Sequence, residues 1–125
     1  MQTYARWLFG LAAVANLGFA AVLFFAKAPT ATLLGLDPIA GTNLVFANLA
    51  ASLIAAFGYG YARIALDPAG FRPLIQLGAG GKLAAVAVAW IAALGDPHAF
   101  KLAILISGDA LFAGLFLDYL RRTAR

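Results

Sequence analysis

The chain has 125 residues, of which 64% are hydrophobic and 11% charged, with a net charge of +4 and a mean hydropathy of +0.91. That balance lies far from the roughly even apolar share of a soluble domain, and at this length it bounds a single compact unit, residues 1–125, spent largely on crossing a bilayer. With no cysteine, no glutamate and one histidine, His98, disulfides, thiolate chemistry and most transition-metal sites are excluded, so no cofactor is expected.

The first apolar span runs from about Trp7 to Phe25, close to the ~20 residues a helix needs to cross ~30 Å of hydrocarbon. Ala26-Lys27-Ala28 resembles a signal-peptidase site, but the apolar run exceeds the ~7 to 15 residues of a signal core, so the segment reads as a retained helix. Residues 28–43 are too apolar for a free loop, carrying Leu33, Leu34, Leu36 and Ile39. A short interfacial helix is expected there, with Thr30 or Thr32 near its start and Gly35 or Asp37 near its end, lying on the rim of the bundle rather than closing over it.

The remaining spans cover about Leu44 to Leu66, Leu74 to Leu94 and Phe100 to Leu120, so the expected fold is an all-α integral membrane four-helix bundle. Each connection contains the same stop signal, at Asp37-Pro38, Asp67-Pro68 and Asp96-Pro97. Aspartate turns the chain and proline removes an N–H, which forbids continuation of the preceding helix. Arg6, Arg63, Arg72, Arg121, Arg122 and Arg125 fall at one end of the spans, against Lys27 and Lys101 at the other. By the positive-inside rule those arginines anchor a cytoplasmic side, with both termini inside a bacterial inner membrane. The basic balance thus reflects orientation in lipid, not affinity for nucleic acid.

Only two formal charges lie deep in these spans, Lys82 in the third and Asp109 in the fourth. Lys82 sits eight residues past Leu74, ~12 Å in from the arginine-rich side, and Asp109 eleven residues before Leu120, ~16 Å from that side. The matching depths on neighbouring antiparallel helices predict a cross-helix pair. Two readings stay open: an ion pair that fixes helix register, or a relay or ligand counter-charge.

Asn48, Ser52, Tyr59 and Arg63 fall within ~60° of one another on the second helix and predict a polar stripe toward the interior, joined by Asn16 of the first helix and Ser107 of the fourth. Gly78, Gly81, Ala85 and Ala89 give the third helix a small-residue face. Asp109, Phe112 and Phe116 share a face of the fourth, where the rings are expected to pack as core. Gly78-Ala-Gly-Gly-Lys82 is no phosphate loop, since the spacing and the following hydroxyl residue are wrong. His98 is ~13 Å along the helix from Ser107, too far to serve it as a base.

The segments Gly58-Tyr59, Asp67-Pro68, Arg72-Pro73, Gly78-x-x-Gly81-Lys82 and Gly108-Asp109-x-x-Phe112 resemble a group of small four-helix bacterial inner-membrane proteins of uncharacterised role. The overall plan is also similar to DoxX-like four-helix proteins. The resemblance covers about the last half of the chain and implies the fold without supplying a substrate. The leading functional expectation is a non-enzymatic module that binds a lipid-like or apolar molecule, or a membrane partner, around Lys82 and Asp109. The alternative is an oligomeric transporter or channel, assembled from further copies of this chain, that uses the two charges as a relay; a membrane enzyme ranks third.

Overall fold

The structure, a computed structural model, describes residues 1–124, so Arg125 lies outside the described residues. It contains α1 (Gln2–Phe25), α2 (Lys27–Leu34), α3 (Thr42–Leu66), α4 (Arg72–Gly95), a 3₁₀ turn (Pro97–Ala99), α5 (Phe100–Ile106) and α6 (Gly108–Arg122), with no strand among the described residues. Four segments are long and apolar enough to cross a membrane: α1, α3, α4 and the run from Pro97 to Arg122. Alanine and leucine dominate them, residues that lose little side-chain freedom in a helix.

The turns follow from local chemistry. At Asp67 and Asp96 the backbone is extended before proline, and each carboxylate then accepts a backbone N–H, from Gly70 at 3.2 Å and from His98 at 3.0 Å. The first Asp-Pro pair does not end a helix. Gly35 does so earlier, in the left-handed conformation (φ 68°) that closes α2 with N–H bonds back to Ala31 and Thr32. The start of α2 also differs from expectation: it follows α1 after a single break at Ala26, and Thr30 lies in its second turn. The Thr30 hydroxyl donates 2.7 Å back to the Ala26 carbonyl, so it satisfies the break from within the helix instead of capping the N-terminus.

The fourth span is interrupted as well. The Ser107 hydroxyl donates to the Ala103 carbonyl (2.7 Å), Gly108 follows, and the Ala110 N–H bonds to Ser107 three residues back. Together these tighten one turn and separate α5 from α6.

α1 packs antiparallel on α3, and α4 packs on α5 and α6. Gly58 permits the first contact, since a Cβ there would stand 2.8 Å from Leu17 and 3.1 Å from Asn16. The two helix pairs join mainly at the end bearing the chain termini, here called the termini end. The core lies there, built from Leu8 and Phe9 of α1, Tyr61 and Ile64 of α3, Ile75 and Ala79 of α4, and Phe116, Tyr119 and Leu120 of α6. Phe116 stacks 4.7 Å from Phe9 and edge-on at 5.2 Å to Tyr61, and Tyr119 meets Phe9 edge-on at 5.5 Å. In the distal half the buried side chains are mostly small: Ala20, Ala31, Ala51, Ala89 and Ala103, with Thr30 and Leu34.

Candidate functional site

The deep polar residues meet where the packed core ends. Lys82, only 5% exposed, extends from α4 to Asp109 of α6, with Nζ 2.7 Å from Oδ1, the cross-helix contact that the two depths predict. The ammonium also donates to Asn16 Oδ1 of α1 at 3.1 Å, and the Asn16 amide donates to the Ile54 carbonyl of α3 at 3.2 Å. One lysine thus ties all four long segments together through a single network. Its charge lies 5.3 Å from the centroids of both the Tyr61 and Phe112 rings, which stabilise it by cation–π attraction.

Asp109 differs from its partner in access. Its side chain is 34% exposed, and Oδ2 accepts no hydrogen bond from the described residues. It borders two cavities. One, of about 330 Å³, lies between α3 and α4, lined by Leu53, Ile54, Phe57, Gly81 and Ala85. The other, of about 270 Å³, lies between α1 and the α5–α6 segment, lined by Ala15, Phe19, Leu105, Ile106 and Phe112. Asn16, Ile54, Ala85 and Asp109 line both, so the two cavities adjoin at these residues and form the two lobes of the candidate cleft.

Small residues make that cleft. Gly81 and Ala85 of α4 present little bulk to α3, while Gly78, one turn earlier, admits the Tyr61 ring so closely that a Cβ would stand 2.7 Å from it. The small-residue face therefore divides: Gly78 closes the core, Gly81 and Ala85 open the cleft, and Ala89 is buried beyond it.

The other polar candidates lie elsewhere. The α3 stripe does not point into the interior: Ser52, Tyr59 and Arg63 are exposed, Tyr59 by 61%. The Ser52 hydroxyl donates to its own helix at Asn48 O (2.8 Å), and Arg63 donates to the Tyr59 hydroxyl (3.1 Å) while stacking on Phe71. The reason is the position of Arg63 at the helix end, where a long charged side chain reaches outward and takes its i−4 neighbour with it. Asn48 is half-buried, and its Oδ1 has no partner among the described residues. Ser107 accepts from the Trp90 indole N–H at 2.8 Å and donates to Ala103, so both its hydrogen-bonding roles are filled. His98 is exposed in the distal turn.

The arginines do gather at the termini end. Arg6, Arg63, Arg121 and Arg122 are exposed there, with Arg122 paired to Asp118 at 2.8 Å. Arg72 is more than an anchor, because its guanidinium caps the C-terminus of α6, donating to the Leu120 carbonyl (2.7 Å) and the Thr123 hydroxyl (2.8 Å).

Sequence reasoning missed Ile54, Phe57 and Tyr61, which form the α3 wall of the site, and Trp90. The i, i+3, i+7 spacing of the first three was the available signal for a shared face. For Trp90 the signal was the need of a part-buried indole N–H for an acceptor. No protein-family model, curated protein or solved structure matches the chain.

Proposed function

We propose that the chain is a multi-pass bacterial inner-membrane protein, with both termini cytoplasmic, that acts as a non-enzymatic module holding an apolar, lipid-like molecule. The observation that carries this reading is the cleft: two apolar lobes on opposite seams of the bundle, meeting at one accessible carboxylate on an otherwise buried ion pair. Mostly apolar walls with a few convergent polar groups are the usual form of a small-molecule site. In the proposed orientation the cleft has its polar junction near the midpoint and runs from there toward the exterior, and both seams face lipid, so a hydrophobic molecule enters sideways without crossing water.

An ion relay through Asp109 ranks below this reading. The stacked rings of Phe9, Tyr61, Phe116 and Tyr119 fill the interior between the pair and the termini end, leaving no polar route onward.

Native mass spectrometry of protein extracted in mild detergent tests the proposal. The wild type is expected to carry a retained small molecule that Ala85→Phe, which places a ring at the junction of both lobes, releases. An empty wild type, or equal retention by Ala85→Phe, contradicts it.

A further inference from the structure

The atoms left free at the cleft junction select the head of the bound molecule. Lys82 borders the α3–α4 lobe but is largely spent: its side chain is 5% exposed, two of its three N–H groups are bonded to Asp109 and Asn16, and its charge lies against the Tyr61 and Phe112 rings. What remains unbonded on the two side chains that line both lobes is one acceptor and one donor. Asp109 Oδ2 accepts nothing from the described residues, and Asn16 Nδ2 has two N–H groups, of which one is used on the Ile54 carbonyl. The amide orientation is fixed by its partners, because only an oxygen can accept from Lys82 and only a nitrogen can donate to a carbonyl. Both side chains are bound to one ammonium, and both line both lobes.

We infer that the ligand is a single-chain, long-chain alcohol, a conclusion that rests on the cleft-binding reading above. A hydroxyl group donates one hydrogen bond and accepts another, matching Asp109 Oδ2 and the remaining N–H of Asn16 in one group. A carboxylate or phosphate head brings a second anion against Asp109, while the one cation at the site, Lys82, is already paired with that carboxylate. An ammonium head brings a second cation beside Lys82, whose charge already balances Asp109. Selection therefore rests on rejection of charge as well as on attraction of a neutral donor. Size points to one chain: lobes of about 330 and 270 Å³ lie at and just below the lower limit of the ~300 to 1,000 Å³ spanned by small-molecule sites, too small for a two-chain phospholipid.

The test uses the full chain in phosphatidylcholine nanodiscs and three photoreactive C16 probes that differ only in the head: alcohol, carboxylate and primary amine. Labelled peptides are located by mass spectrometry. The alcohol is expected to label the α3 wall around Ile54 and Phe57 at least about tenfold more than either charged probe, a ratio typical of losing one hydrogen bond to a charged group. Unlabelled hexadecanol should compete it away. Asn16→Leu, which leaves the Lys82–Asp109 pair in place, should reduce alcohol labelling while leaving the helical circular dichroism unchanged. Equal or stronger labelling by the carboxylate or amine overturns the choice of head and leaves the cleft reading standing. If no probe labels the cleft and Ala85→Phe changes nothing, the cleft reading itself fails.

Discussion

The two halves of the bundle are built from the same kinds of residue and differ in how they fill space. At the termini end, Phe9, Tyr61, Phe116 and Tyr119 interlock across α1, α3 and α6, and Gly78 of α4 gives the Tyr61 ring its seat. In the distal half the same helices meet through alanines, while Ile104 and Val88 are exposed, so a cleft remains. Lipid tails are as apolar as leucine, so within a membrane helices are held by dispersion and shape rather than by release of water. In the distal half Trp90 meets Phe100 edge-on at 5.6 Å, a contact between α4 and the neighbouring α5 that does not cross the bundle, so under the proposed function that half exchanges protein contacts for contacts with a bound chain. The ion pair marks the boundary, with Lys82 on the packed side and Asp109 open to the cleft.

The contrast is open to direct attack. Phe116→Ala removes a fully buried ring from the packed half and is expected to cost ~3 to 5 kcal/mol in an unfolding titration, whereas Phe19→Ala on the cleft wall should cost under about 1.5 kcal/mol. Similar losses would erase the distinction between the halves. At the boundary, Lys82→Met or Asp109→Leu alone strands a charge and should cost ~3 to 5 kcal/mol, while the double replacement should cost far less than the two losses combined. Additive losses would mean that the 2.7 Å contact carries no coupling.

Arg72→Ala strips the cap from α6 at the packed end, where two charge-assisted hydrogen bonds are lost, and a destabilisation of ~1.5 to 3 kcal/mol is expected. Hydrogen exchange should show the fraying confined to the last turn of α6. The smallest effect belongs to the distal half: Trp90→Phe deletes the bond to Ser107 and should cost ~0.6 to 1.5 kcal/mol, with tryptophan fluorescence reporting the loss of the indole signal at that site.

Much of the helical framework was legible in the sequence, because its determinants are local or one-dimensional. Apolar run length gives the spans, Asp67-Pro68 and Asp96-Pro97 give two of the turns, and 1.5 Å per residue brings Lys82 level with Asp109. The cleft was not legible, since it depends on which face of α3 turns inward. Grouping its polar residues selected Ser52, Tyr59 and Arg63, but an arginine near a helix end reaches outward, and the inward face belongs to Ile54, Phe57 and Tyr61. The role of Arg72 was hidden for a different reason. Its acceptors lie 48 and 51 residues away, beyond any local pattern.

One pair of substitutions weighs the two halves against each other without needing a ligand. Ala79 is buried in the packed core and Ala85 lines both lobes of the cleft, six residues along the same helix. Measured by the same unfolding titration in the same bilayer mimic, Ala79→Phe should overpack the core and lose ~1 to 3 kcal/mol or more, while Ala85→Phe should fill open space and be neutral or stabilising. Equal destabilisation at both positions would mean that the distal half is as tightly packed as the core, and the cleft at the centre of this account would not exist.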